Sequence, residues 1–449
     1  MTASGKTTVT AFIPNTFIAA FDRLWRLPAG MESAAILTTQ EFVHFRKTAD
    51  DHCYAQIRGN LLDPFLLQGL RKLGLPCCFP AGSPLAATDR LETTALCYAA
   101  LMSRQDNHMY LCPLDCADDI PQIEIGKASI RRFSQQEMDA LLNSLPQQRL
   151  TGYVSADAAS FSQFLWLVVS HEEALQADFA ERYWFWNGSR DSPGTVYPYR
   201  LPHPKAVEEA LFLLMLADWE NWQFGEEYHW RPFDISWVYT LSDDIFRQQQ
   251  PIPLVTSLTW APSSYYDESN GWHEYDVPYS FSCSPTREQL VPFVDDLARS
   301  HLQTALACGL INLAARHQFV KAFLSSGVDE FLAHIVVIDA CVGESSTNKA
   351  MAKPLKDLGP TGRLKYRLAG LLNDTSVREV IHVLYQARSN YVHGNALEKI
   401  PGLHILQARS LARRTLNAII AEAGRAPGLT REAFLDEILQ RGWNLFKVA

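Results

Sequence analysis

A chain of 449 residues is longer than one ordinary hydrophobic core organises, so two or three domains are expected. Hydrophobic residues make up 47% and charged residues 20%, which excludes a disordered chain, and no run of ~18 apolar residues is present to span a membrane. The formal net charge of −9 hides an asymmetry: from Asp295 onward 19 Lys and Arg face 14 Asp and Glu (+5), whereas the preceding residues carry 21 against 35 (−14). The basic share permits a polyanionic partner for the C-terminal part.

At the N-terminus, Ser4-Gly-Lys-Thr7 has the end of a phosphate-binding loop but neither its first Gly nor a preceding strand, so nucleotide binding is not expected. The apolar residues that follow are interrupted by Thr7, Thr8, Thr10 and Pro14, so a signal peptide is not expected either. Nine cysteines fall without a paired framework, as in a reducing cytoplasm. The spacing of Cys77, Cys78, Cys112 and Cys116 matches no standard zinc site, so neither a metal nor another cofactor is expected.

The first ~285 residues read as a mixed α/β region with an internal break near 150–180. Strand-like runs occur at Val9–Ile13, Ala35–Thr38, Met109–Cys112 and Trp166–Ser170. Helical periods occur at Gln135–Leu142 and Ala206–Trp222. Between Tyr183 and Phe281 the chain is rich in Trp and Tyr, which serve as core and rim residues or, less commonly, as base-stacking platforms. His229 beside Glu226 and Glu227, and Cys112 with Asp115, have no spacing that marks a site.

After Cys283-Ser-Pro-Thr-Arg the texture changes to amphipathic helices, and 288–449 is expected to be an all-α bundle, making the whole chain α+β. The spans are 288–317, 319–343, 361–373, 375–393, 403–424 and 430–446. One of these helices starts at Thr375 or Ser376, and Ser376 and Glu379 have the spacing of a capping box. Val377, Val380, Ile381, Leu384, Ala387 and Tyr391 form its apolar stripe, and Gly394 marks its end. Arg388 falls beside that stripe, where a guanidinium needs an acid, a second subunit or a bound anion. His393, five positions later, projects about 140° further round an ideal helix. The two converge if the last turn unwinds at Gly394, or if two copies of the helix meet across a symmetric dimer.

The segment Leu384-Tyr-Gln-Ala-Arg-Ser-Asn-Tyr-Val-His-Gly394 resembles the motif of HEPN domains, in particular the Apea-like branch. Val337-Ile-Asp-Ala-Cys341 resembles the family's apolar helix with one acid, here Asp339. Gly362–Leu372 resembles the segment before the motif helix, and Arg409–Ile420 the Arg-bearing helix after it. The resemblance covers about 295–425. The bare Arg-to-His spacing also occurs at Arg46 and His52, where neither a helical frame nor a following Gly is read.

What the resemblance implies is a metal-independent endoribonuclease acting as a homodimer through this bundle, in antiviral defence or as a toxin. The N-terminal region would then be a sensor or regulator that meets a trigger or an antitoxin. An imidazole that titrates near pH 7 suits removal of the ribose 2′-OH proton, and a guanidinium binds two oxygens of the phosphorane. Arg388 and His393 are therefore the catalytic candidates. Asn390 is expected to orient the phosphate, Asp339 to hold Arg388, and Arg409 and Arg413 to offer a basic face to RNA. The alternative is a non-catalytic dimerisation or RNA-binding module; on a purely structural reading Arg388 pairs with a bundle acid and His393 caps the helix C-terminus.

Overall fold

The computed structural model describes residues 13–52, 62–83, 89–117, 119–143, 157–174, 203–222, 231–242, 244–246, 252–281, 285–343, 355, 357–394 and 400–448. Ser4–Thr7, residues 9–12, Trp184, Trp186 and Glu226 to Trp230 lie outside them. Helices α1 (Asn15–Leu24), α2 (Ser33–Thr38), α3 (Gln40–His52), α4 (Leu62–Lys72) and α5 (Arg90–Met102) form the first layer. Phenylalanines hold it together: Phe17 and Phe21 meet Phe45 edge-on at 5.7 and 5.6 Å. The Ala35–Thr38 segment is helical, not a strand. Its single buried residue, Ile36, belongs to this helical core, so the segment has no alternating apolar face to lay on a sheet.

A five-stranded antiparallel sheet follows, in the order β2-β3-β4-β1-β5. Its strands are β1 (Gln105–Leu114), β2 (Ile123–Ile125), β3 (Ala128–Arg132), β4 (Leu165–Ala174) and β5 (Tyr239–Ser242). Both strand-like runs at Met109–Cys112 and Trp166–Ser170 fall inside it. Cys112 pairs with Leu167 and Leu111 with Val168, so alternation sends Cys112 and Leu167 to one core and Leu111 and Val168 to another. The second face is covered by α6 (Gln135–Asn143) and α7 (Ala158–Phe161), through Met138, Leu142 and Phe161. Asp115, just past β1, is tied into this frame. Its carboxylate accepts from the Thr259 amide at 3.0 Å and from the Ser236 hydroxyl at 3.2 Å.

The first face meets α8 (Lys205–Met215) and the C-terminal helices. The helical period over Ala206–Trp222 is interrupted at 216–218 and resumes as a short 3₁₀ turn, Trp219–Trp222. A separate hairpin, β6 (Trp260–Asp267) and β7 (Gly271–Pro278), precedes the bundle.

The bundle comprises α9 (Arg287–Val294), α10 (Asp296–Ala307), α11 (Leu313–Leu324), α12 (Gly327–Val342), α13 (Pro360–Leu372), α14 (Val377–Val392), α15 (Gly402–Arg425) and α16 (Arg431–Val448). The expected 288–317 helix is cut twice. Asp295 caps α10 by accepting from the Ala298 amide at 2.7 Å, and Asn312 caps α11 by accepting from the Ala315 amide at 2.8 Å. Gly309, with φ +66°, makes the reversal between them. α13 and α16 approach backbone to backbone, and a Cβ on Gly442 would collide with the Tyr366 carbonyl. No helix among the described residues is long and apolar enough to cross a membrane.

The change of texture near 283–287 does not separate two cores. Phe212 on α8 packs edge-on against Phe319 on α11 at 5.7 Å, and Phe233 against Phe323 at 5.3 Å. The sheet's first face, α8 and the bundle share one continuous apolar interior.

Candidate functional site

Helix α14 is anchored by Val377, Ile381 and Leu384, all buried, as the apolar period requires. Its N-terminus is fixed differently from the expected capping box. Ser376 makes no cap bond to the helix; Asp374 instead accepts from the Ser376 amide at 2.9 Å and its hydroxyl at 2.6 Å. An aspartate two residues upstream closes this turn before the Ser–Glu pair can. At the other end burial stops. Tyr391, expected on the stripe, is 38% exposed, Val392 57%, and Asn390, His393 and Gly394 are exposed as well. The last turn of α14 therefore stands clear of its own bundle.

That turn remains helical. The His393 amide donates to the Ser389 carbonyl at 3.0 Å, and Gly394, at φ +70°, closes the helix. Unwinding at Gly394 does not bring Arg388 and His393 together, and their side chains leave the helix about 140° apart. Asn390, three positions before His393, shares that residue's side of the helix and not Arg388's. The motif thus presents two sides.

On the first side, Arg388 is half-buried and its guanidinium lies 5.9 Å from the Tyr385 ring centroid, within cation–π range. The Tyr385 hydroxyl donates to Asp339 Oδ1 across from α12. Burial pushes the Asp339 carboxyl above its ordinary range, while the Tyr385 bond and the Arg388 charge pull it down. Burial and then the Asp339 charge raise the Tyr385 phenol. Among the described residues Arg388 makes no hydrogen bond or ion pair. Asp339 reaches it only through space, by way of Tyr385. That tyrosine was missed in the sequence, although an aromatic three positions before an arginine on a helix is within its reach. On the second side, the His393 imidazole likewise makes no bond among the described residues.

Arg409 and Arg413 do not form a basic face. Both are buried, at 2% and 1% exposure. Arg409 donates to Glu330 Oε1 through Nε at 3.0 Å and Nη2 at 2.7 Å. Arg413 grips Glu220 in a fork at 2.7 and 2.9 Å and also meets Asp218 and the Met215 carbonyl. Burial alone would raise Glu220, but the Arg413 charge and bonds hold it below the usual carboxylate range. Their place in the interior removes them as RNA contacts: they bind α15 to α12 and to the turn after α8. Arg414, on the same helix, is the exposed one and pairs with Asp374 at 2.8 Å.

The remaining candidates resolve as packing. Arg46 and His52 do lie on a helix, contrary to the sequence reading, but Arg46 pairs with Asp63 at 3.0 Å and His52 packs edge-on against Tyr98 at 5.7 Å. Cys77 and Cys78 touch at 3.9 Å within the first layer, far in topology from Cys112 on the sheet. Among the described residues no three His, Cys, Asp or Glu cluster as a metal site. Compared with protein-family models, curated proteins and solved structures, the chain matches none.

Proposed function

We infer that this chain is a cytoplasmic, metal-independent endoribonuclease of the HEPN type, working as a homodimer in antiviral defence or as a toxin. The observation that carries the reading is the Arg388 guanidinium, half-buried over Tyr385 and without a hydrogen bond or ion pair among the described residues, five positions before an exposed His393. A desolvated cation left without a counter-ion is an anion site. The 140° offset and the exposed Tyr391 and Val392 favour assembly of the site from two copies of α14, one giving Arg388 and the other His393.

In that cleft a neutral imidazole takes the 2′-OH proton as the oxygen attacks the adjacent phosphorus. The guanidinium holds the charge that grows on the phosphorane, and the 5′-oxygen leaves with a proton from solvent water, to which the imidazolium returns the proton it took. The products carry a 2′,3′-cyclic phosphate and a 5′-hydroxyl, and DNA, lacking the 2′-OH, resists. Asn390, beside His393, would orient the phosphate, and Asp339 with Tyr385 would set the position of Arg388. The region before the bundle, which shares its interior, would serve as sensor or regulator.

The test is incubation of the purified chain with RNA in excess EDTA. Cleavage with cyclic-phosphate ends that vanishes in His393→Ala supports the reading; loss with chelator, or retention in His393→Ala, refutes it. The exposed Tyr391 and Val392 also suit a non-catalytic dimerisation platform, which predicts dimers but no cleavage.

A further inference from the structure

The β6–β7 hairpin carries a feature that the bundle chemistry does not use. It pairs with no other strand among the described residues, and is rooted at its base, where Trp260 packs edge-on against Phe164 at 5.0 Å. Its register aligns Tyr266 with Trp272, Ser264 with Glu274 and Pro262 with Asp276, and alternation puts all six on one face. Every one of them is exposed, Trp272 by 71% and Tyr266 by 61%. The two rings meet edge-to-face at 5.5 Å, and the indole stays largely exposed. Residues 260–281 hold four acids (Asp267, Glu268, Glu274, Asp276) and neither Lys nor Arg. The surrounding chain before Asp295 is itself strongly acidic, at −14.

Exposed aromatic rings alone would suit stacked bases. Four carboxylates on so short a ribbon repel a phosphate backbone and remove that option. The same carboxylates beside ring faces attract cations, through cation–π contact and ion pairing together.

We propose that the open face of the β6–β7 ribbon is a docking site for an extended basic segment of a partner protein, with Lys or Arg at alternate positions. Side chains two residues apart on an extended strand repeat about every 7 Å. That is the step from Trp272 to Glu274 and on to Asp276, so one cation covers the Tyr266–Trp272 pair as the next meets the carboxylates. Affinity comes from the charges and is salt-sensitive; discrimination comes from the rings. The site is independent of the ribonuclease reading and suits a trigger or antidote of basic character.

The experiment is fluorescence anisotropy with the full chain and a labelled eight-residue peptide alternating Arg and Ser, beside an alternating Glu–Ser peptide and a twelve-nucleotide oligouridine. Saturable binding of the basic peptide is expected, weakened about tenfold by Trp272→Ala and again by Glu274→Gln with Asp276→Asn. These positions are exposed, so thermal melts of the variants should superimpose on that of the wild type. Three results would overturn the proposal: no binding of the basic peptide, binding indifferent to both sets of variants, or oligouridine binding that depends on Trp272. Dissociation of a dimer by Trp272→Ala would also overturn it, by showing that a second copy fills the face.

Discussion

Two sets of arginines in one bundle show how the same side chain is locked into the interior in one place and left half-buried near the surface in another. Arg409 and Arg413 sit in the interior with Glu330 and Glu220, each held through two or more short bonds. Arg388 is only half-buried, over a tyrosine ring, with no acid bonded to it among the described residues. A buried guanidinium bonded to a buried carboxylate is closed to a ligand from solvent, and its value is to fix helix against helix. A half-buried, unpaired one keeps its fork open toward solvent.

The largest consequence is kinetic. Arg388→Ala should lower RNA cleavage by about 10²–10³-fold, the loss typical of removing one donor to a developing charge, while denaturant midpoints barely move. Arg413→Ala should do the reverse, destabilising the fold by about 3–5 kcal/mol because Glu220 is left charged and buried without its partner. A large stability loss in Arg388→Ala, measured by urea unfolding, would erase the distinction between the two.

Packing supplies a reference of intermediate size. Gly442→Ala drives a methyl into the Tyr366 carbonyl where α13 meets α16, and should destabilise by about 2–3 kcal/mol without touching the motif. Tyr385→Phe is subtler. It keeps the ring beneath Arg388 but frees Asp339, and about a tenfold fall in cleavage with unchanged dimerisation would mark Tyr385 as a positioning residue.

The smallest effects appear in pH. The Glu220 and Glu330 carboxyls are held below the ordinary glutamate value of about 4.5 by their arginine and histidine partners, against burial that would raise them. The stability they lend is present above that value and is lost as acid protonates the folded pairs. Urea midpoints should therefore fall as pH drops below about 4.5, with a shallower slope in Glu220→Gln. Asp339 has the opposite sign. Raised by burial, it favours the fold when protonated, so its contribution fades as pH rises through its folded pKa, and Asp339→Asn should remove that fade.

Much of this arrangement was legible along the chain. Helical period located α14 through Val377, Ile381 and Leu384, and strand-like runs of β-branched and aromatic residues located parts of β1 and β4 at Met109–Cys112 and Trp166–Ser170. What stayed hidden depends on partners far away in sequence. Arg413 looked like one of several basic residues on a helix because Glu220, which buries it, lies 193 positions earlier. Tyr385 matters only because Asp339 arrives from another helix. Ala35–Thr38 has the residue types of a strand, but its one buried residue drops into a helical core. Local punctuation was also underread: Asp295, Gly309 and Asn312 divide what period alone reads as one helix.

The central claim is that one copy's Arg388 and another's His393 act on the same phosphodiester. Mixing Arg388→Ala with His393→Ala chains, each inactive alone, tests it most directly once exchange into mixed dimers is verified by differently sized tags. Restored cleavage in the mixture, bearing 2′,3′-cyclic phosphate ends in excess EDTA, is the expected result. A mixed dimer as inactive as its parents, beside an active wild type, would contradict a site shared between two copies.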